Sequence, residues 1–96
     1  MSKLRGQTVM ITGAARGIGR CCAQALSEAG ARVAIADLDE DEAHSSAQAL
    51  PGEAQGFRLD VANSEDFQTC VQSVESALGP IQILINNAGV MHIGPM

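Results

Sequence analysis

Aromatic residues are almost absent from this 96-residue sequence, which contains two Phe and neither Trp nor Tyr. Hydrophobic residues nevertheless make up 46% of the chain, an ordinary fraction for a globular protein and too high for a disordered one. The core must therefore be aliphatic, built from Ala, Val, Ile and Leu.

Basic residues are also scarce, since six Lys and Arg stand against eleven Asp and Glu, and the formal net charge is −5. No basic run could neutralise phosphates, which argues against nonspecific binding to nucleic acid or to an anionic membrane. No apolar stretch approaches the roughly 20 residues that a membrane helix needs, and no signal peptide is recognisable at the start. We therefore expect neither nucleic acid nor membrane among the partners.

The three cysteines have no metal-type spacing. Cys21 and Cys22 are neighbours and Cys70 stands alone, so the sequence contains no C-x-x-C. This pattern predicts a reduced, cytoplasmic chain without a metal site, in which the cysteines act as small apolar side chains.

Four short apolar runs alternate with three helix-like segments. Residues 8–12, 31–37 and 57–61 are predicted strands, and a fourth strand begins at residue 81 and runs into a loop at residues 86–89. The order βαβαβαβ predicts an α/β fold with right-handed crossovers, in which a parallel sheet of strand order 3-2-1-4 forms half of a doubly wound sheet.

The three helices have different apolar faces. The first is predicted to bury a stripe that comprises Ile18, Cys22, Ala25, Leu26 and Ala29 and to stop at Gly30. The second, residues 38–50, is acidic and Ala-rich with a weak apolar face. The third starts at a cap provided by Asn63 or Ser64 and buries Phe67, Cys70, Val71, Val74 and Leu78.

Three glycines lie at the junction of the first strand and the first helix. Gly13 ends the strand, Gly17 lies in the turn and Gly19 opens the helix. Glycine permits a tight turn and leaves room for a phosphate at the amides of the helix N-terminus. The spacing G-x-x-x-G-x-G is not that of a P-loop, which argues against a nucleoside triphosphatase. A tight turn without a ligand is the alternative.

Asp37 ends the second strand about 20 residues after the glycines, where a carboxylate can accept hydrogen bonds from both hydroxyls of an adenine ribose. A 2′-phosphate would meet a like charge there, although Arg16 in the glycine turn could offset part of the repulsion. We therefore expect NAD rather than NADP. The alternative role for Asp37 is that of a solvated acid opening an acidic helix.

With these residues in place, the sequence resembles a classical short-chain dehydrogenase/reductase. TGAARGIG at residues 12–19 is similar to the family's TGxxxGxG cofactor motif. LDV at residues 59–61 resembles its adenine-contacting Asp with the apolar residue that follows, and NNAG at residues 86–89 resembles the motif that closes its fourth strand. The likeness covers essentially the whole chain.

The resemblance implies a Rossmann-like, NAD(P)-binding domain of which residues 1–96 are the N-terminal part. The residues that it implies around the pyrophosphate and the nearby ribose are Gly13, Arg16, Gly17, Ile18 and Gly19. Asp37 would hold the adenosine ribose, Asp60 would accept from the adenine amino group and Val61 would lie against the ring. Asn87, Ala88 and Gly89 would line the nicotinamide-side ribose, and Thr12 with Asn86 would tie neighbouring strand ends together. Helix capping near Asn63 is the alternative for Asp60.

The chain lacks the family's Tyr-x-x-x-Lys, because it contains no Tyr. It therefore resembles the cofactor-binding part of an oxidoreductase that transfers hydride between NAD and an alcohol or ketone, and alone it is expected to be inactive. The complete enzyme would be a cytoplasmic homo-oligomer. The fourth strand would leave an exposed apolar edge, which predicts self-association of this chain.

Two other functions remain open at this stage. A non-catalytic dinucleotide sensor or scaffold could use the same fold without chemistry. An S-adenosylmethionine methyltransferase also has a glycine loop and an acid after its second strand, but usually carries an acid where this chain has Thr12.

Overall fold

In the computed structural model, which describes residues 4–14 and 17–87, strands and helices alternate along the chain. The elements are β1 (Thr8–Thr12), α1 (Gly17–Glu28), β2 (Arg32–Asp37), α2 (Glu40–Gln48), β3 (Ala54–Arg58), α3 (Ser64–Leu78) and β4 (Ile81–Asn86). The strands form one parallel sheet in the order β3-β2-β1-β4. This confirms the predicted α/β fold and strand order.

The two central strands separate two apolar layers. Val9 and Ile11 of β1 lie in the layer that contains the small residues of α1 and α2, such as Ala23 and Ala43. Met10 of β1 lies in the opposite layer, whose other buried members are Ala34, Ala36, Leu59, Cys70, Val74 and Leu78. Because both faces of β1 are covered, all five of its residues are buried, as expected for a central parallel strand.

The predicted stripe on α1 is only partly correct. Ile18 is 76% exposed and Ala25 is exposed, whereas the buried residues of this helix are Gly19, Ala23 and Ser27. Cys22 and Leu26, which belong to the predicted stripe, are partly buried against the same layer. The helix thus approaches the sheet through its smallest side chains, which periodicity of apolar residues does not detect.

Side-chain caps set the starts of the second and third helices. Asp39 accepts a hydrogen bond from the Glu42 amide at 3.1 Å, so α2 begins at Glu40, two residues later than predicted. Asn63 accepts from the Asp66 amide at 3.0 Å and caps α3, which resolves the choice between Asn63 and Ser64. The predicted apolar face of α3 is confirmed, with Cys70, Val74 and Leu78 buried.

The third strand lies closer to the N-terminus than the predicted range of residues 57–61. It pairs with β2 from Val33↔Ala54 to Asp37↔Arg58, so the ladder stops where β2 stops. Leu59 extends the contact by donating its amide to the Asp37 carbonyl at 2.9 Å, but Asp60 and Val61 lie beyond the strand. The length of β3 is therefore fixed by its partner strand rather than by its own apolar run.

Candidate functional site

The glycine turn lies where β1 leaves the sheet and α1 begins. Gly13 and Gly17 both have positive φ angles, of 67° and 68°, a backbone region that residues with a Cβ rarely adopt. The amides of the first turn of α1 point toward the carboxyl edge of the sheet, because a helix that follows a parallel strand starts there. No acidic side chain lies in this first turn, so an anion would meet no repulsion from it.

Gly19 is the tightest point of this turn. A Cβ at Gly19 would lie 2.6 Å from the Gly13 carbonyl oxygen, 2.8 Å from the Ala14 Cα and 2.9 Å from Asn87 Nδ2. Asn87 in turn donates Nδ2 to the Gly13 carbonyl at 3.1 Å. The residues predicted from two separate motifs, Gly13, Gly19 and Asn87, therefore lie together, and a side chain at Gly19 would fill the space between them.

A small cleft of about 140 Å³ adjoins the glycine turn. Its lining residues are Gly13, Asp37, Leu38, Leu59, Asp60 and Val61. Four of these, Gly13, Asp37, Asp60 and Val61, are predicted site residues that lie at or after the carboxyl ends of three different strands. The fold thus brings the glycine turn and both predicted carboxylates to one cleft.

Leu38 and Leu59 line the cleft but are not among the predicted site residues. Leu38 is 61% exposed, an unusual position for a large aliphatic side chain, and Val61 on the same cleft is 45% exposed. Exposed aliphatic side chains beside a carboxylate suit a ligand that has an apolar ring and a polar sugar. No spacing in the sequence marks Leu38, which follows Asp37 directly and precedes the acidic run at residues 39–42.

Asp37 lies at the end of β2 and is only partly buried. Its Oδ1 accepts a hydrogen bond from the Asp39 amide at 3.1 Å, which holds the side chain at the strand end. A carboxylate in this position can accept from two vicinal hydroxyls of a sugar placed in the cleft.

Asp60 has a different setting from the predicted one, because it lies in the loop between β3 and α3 rather than at the end of a strand. Its Oδ1 accepts from the Ala62 amide at 3.0 Å. Among the residues that the structure describes, no donor is bound to its Oδ2. The carboxylate is therefore oriented by its own turn while one oxygen stays available to a ligand.

Thr12 and Asn86 join the carboxyl ends of the two neighbouring strands. They are paired in register in β1 and β4, and the Thr12 hydroxyl donates to Asn86 Oδ1 at 2.8 Å. Asn86 also borders a second cleft of about 290 Å³, with Val61, Ala62, Ser64 and Phe67. The expected link between these strand ends is present.

Other predicted site residues lie outside the described part of the chain, namely Arg16, Ala88 and Gly89. Gly17 and Ile18, at the start of α1, are exposed at the glycine turn. Within residues 4–14 and 17–87, no group of three His, Cys, Asp or Glu side chains could hold a metal ion. No helix in these ranges is long and apolar enough to span a bilayer.

A larger surface depression, about 510 Å³, lies on α3 away from this edge of the sheet. It is open and lined by Thr69, Gln72, Ser73, Ser76 and Ala77, none of which is titratable. The chemistry-bearing residues converge on the smaller cleft instead. The glycine turn and the adjoining carboxylates thus offer backbone donors and side-chain acceptors at one edge of the sheet.

Comparison with known proteins identifies the family. The sequence profile of the family described as short chain dehydrogenase matches residues 7–96. Sorbitol dehydrogenase of Cereibacter sphaeroides and galactitol 2-dehydrogenase of Agrobacterium fabrum are each 40% identical over 94 residues, which cover 98% of this chain and 37% of each relative.

Solved structures show the same fold. The crystal structure of a hydroxysteroid dehydrogenase from Escherichia coli superposes with a TM-score of 0.82 at 34% identity, over 86% of this chain and 37% of that one. The chain thus spans little more than a third of the length of these relatives. The match over residues 7–96 and the shared fold show that the chain belongs to the short-chain dehydrogenase family.

Proposed function

We propose that this chain is the dinucleotide-binding, N-terminal part of an NAD-dependent oxidoreductase. The complete enzyme would transfer hydride between the nicotinamide and an alcohol or carbonyl substrate. The family binds nicotinamide dinucleotides, and the observation that carries the proposal is the convergence of the glycine turn, Asp37 and Asp60 on one cleft.

The residues of this chain bind and orient the cofactor. The amides at Gly17, Ile18 and Gly19 would bind the diphosphate together with Arg16, and Asp37 would accept from the adenosine ribose. Asp60 accepts from the adenine amino group, with Val61 against the ring. Asn87, Ala88 and Gly89 would line the nicotinamide-side ribose, and the hydrogen bond from Asn87 Nδ2 to the Gly13 carbonyl supports this role for Asn87.

The position of Asp37 supports a preference for NAD. A 2′-phosphate bound about 4 Å from its carboxylate would be repelled by up to about 4 kcal/mol per charge pair at an effective dielectric constant of 20. Because Asp37 is only partly buried, solvent screens some of this energy. A remaining repulsion of about 1.4 kcal/mol would favour NAD about tenfold.

The bound dinucleotide supplies the hydride acceptor or donor, and this chain keeps it in place at the sheet edge. A general acid–base tyrosine cannot come from this sequence, because it has no Tyr. We therefore propose that residues 1–96 bind the cofactor but do not catalyse turnover alone, and that the complete enzyme is a cytoplasmic homo-oligomer.

Calorimetric titration of the chain with NAD and with NADP tests this proposal. NAD should bind more tightly, and Asp37→Ala should weaken NAD binding and remove most of the difference between the two cofactors. Asp41→Ala is the matched control, since Asp41 is an exposed carboxylate on α2 that does not line the cleft.

The possible results separate the two parts of the proposal. If the chain binds neither cofactor, the binding function is wrong. If it binds NAD but Asp37→Ala leaves the preference unchanged, another residue selects the cofactor. A non-catalytic sensor is not favoured, because the relatives named above are dehydrogenases.

A further inference from the structure

The wall of the cleft that carries Asp60 and Val61 is a loop without regular structure. It runs from Leu59 to the cap of α3 at Asn63 and forms no strand pairing beyond the Leu59 amide. A short loop of this kind needs specific hydrogen bonds to hold two side chains in one orientation.

Those hydrogen bonds converge on Asp66, in the first turn of α3. Its Oδ2 accepts the Asp60 amide at 2.7 Å, a short bond typical of a charged acceptor. The Asp60 carbonyl in turn accepts the Asn63 amide at 3.0 Å, and the Asn63 side chain accepts the Asp66 amide. The backbone of Asp60 is thus held from both sides by the start of α3.

This arrangement differs from ordinary helix capping. In a capping box, the side chain three residues after the cap reaches back to the amide of the cap residue itself. Asp66 occupies that position relative to Asn63, but its carboxylate reaches three residues further, to Asp60. The contact therefore fixes the cleft wall rather than the helix end.

Arg58 supplies a charge partner on the other side. Its Nη1 lies 3.9 Å from Asp66 Oδ2, and the side chains of Arg58 and Asp66 are 52% and 30% exposed. The ion pair itself is too exposed to stabilise the fold strongly. Arg58 itself lies at the end of β3, beside the loop that Asp66 holds.

We propose that Asp66 is a positioning residue for the adenine end of the dinucleotide. It touches no part of the ligand, but by binding the Asp60 amide it places the Asp60 carboxylate to accept from the adenine amino group. This inference rests on the proposed cofactor-binding function.

Two ligands that differ at the 6-position of the purine test the contact that Asp66 would position. NAD carries the adenine amino group, whereas nicotinamide hypoxanthine dinucleotide has a carbonyl oxygen in its place. The chain should bind NAD about tenfold more tightly than the hypoxanthine analogue, as expected for one hydrogen bond to a charged acceptor. Asp60→Ala should remove this discrimination because it removes the acceptor.

Asp66→Ala should reduce the discrimination to less than about threefold, although Asp60 itself is unchanged. Glu65→Ala is the matched control: it removes a neighbouring exposed carboxylate from the same helical turn, with the same effect on the helix dipole, and should keep the tenfold ratio. Both affinities are measured by calorimetry on samples whose folding is verified by circular dichroism.

Asp66→Ser provides a second variant should Asp66→Ala fail to fold. Serine is well suited to the first turn of a helix, but its side chain is too short to replace the carboxylate at the Asp60 amide. Loss of the ratio in either folded variant supports the proposal. A ratio that stays near tenfold in a folded variant overturns it, as does failure of both variants to fold, since Asp66 would then serve the fold.

If the unsubstituted chain does not bind NAD, the proposed function fails instead. If it binds NAD without preferring it over the hypoxanthine analogue, the cofactor function stands and the role of Asp66 is refuted. The two ideas therefore fail in distinguishable ways.

Discussion

The substitution Gly19→Ala tests the central feature of the site, the close approach of α1 to the end of β1. The added Cβ would lie 2.6 Å from the Gly13 carbonyl oxygen, about 0.8 Å short of ordinary contact. The neighbouring atoms belong mostly to the backbone, so they can make room only if the turn itself moves. That movement would displace both the Gly13 carbonyl and the Asn87 side chain bound to it.

The expected loss of stability combines two opposing effects. Forcing an extra carbon into a tightly packed position costs about 3 kcal/mol, near the upper end of the usual range, because backbone atoms must shift. Replacing glycine by alanine within a helix returns about 1 kcal/mol. Urea denaturation should therefore show a net loss of about 2 kcal/mol.

Gly56→Ala is the matched control, because its Cβ would lie 2.5 Å from the backbone of Ala43 in α2. The same two effects predict a similar loss of about 2 kcal/mol. Gly56 does not line the cleft, however, and lies on β3 away from the glycine turn. This variant should therefore lose stability without losing affinity for NAD.

Calorimetry at low temperature, with both variants verified as folded, distinguishes the two positions. We expect Gly19→Ala to bind NAD at least about tenfold more weakly than the unsubstituted chain, a change of about 1.4 kcal/mol. If Gly19→Ala keeps full affinity, the glycine turn does not hold the diphosphate. If Gly56→Ala loses as much affinity, the effect reports general destabilisation and the argument is refuted.

Three further outcomes are expected. Arg32→Met should lower the free energy of unfolding in urea by about 1–2 kcal/mol, because Arg32 Nε donates to the Thr8 hydroxyl at 3.2 Å. The affinity for NAD should not change, because Arg32 lies at the amino end of the sheet, and a parallel loss of affinity would contradict this. Burial, and secondarily the charge of Asp66, raise the pKa of the Cys70 thiol from 9.0 to about 11. The folded state therefore binds this proton more tightly than the unfolded state, so the free energy of unfolding measured in urea should fall as the pH rises from about 9 to about 11. An equal fall in Cys70→Val would refute the assignment of this loss to the Cys70 thiol. The chain should self-associate through β4, whose Leu84 is 48% exposed. Leu84→Lys should lower the mass measured by light scattering, and a stable monomer without the substitution would contradict this prediction.

Much of the fold follows from local patterns in the sequence. β1 and β2 are continuous apolar runs because both of their faces are covered, and such runs are visible without any tertiary information. The face of α3 is equally clear because large side chains recur at helical spacing. The face of α1 is not, because Gly19, Ala23 and Ser27 are buried for their small size rather than their hydrophobicity.

The site is predictable where a single motif carries it. The glycine turn and Asp37 are recognisable because their positions relative to β1 and β2 have a direct chemical meaning. Leu38, Leu59 and Asp66 are different, because no spacing distinguishes them from other leucines and acids. The roles of Leu59 and Asp66 depend on the loop after β3, whose start is determined by the length of β2.

The order of glycines, apolar runs and acids along the chain thus determined the parallel sheet and the edge at which its polar residues meet. Both the sheet and this edge depend on interactions between near neighbours and on the geometry of βαβ units. Only the tertiary structure decided how closely α1 approaches β1, where β3 ends and which carboxylate holds the Asp60 loop. The first two features arise from packing and hydrogen bonds between segments far apart in the chain, as in the contact of Asn87 with Gly13. The third is a hydrogen bond between residues only six apart, but it depends on where β3 ends.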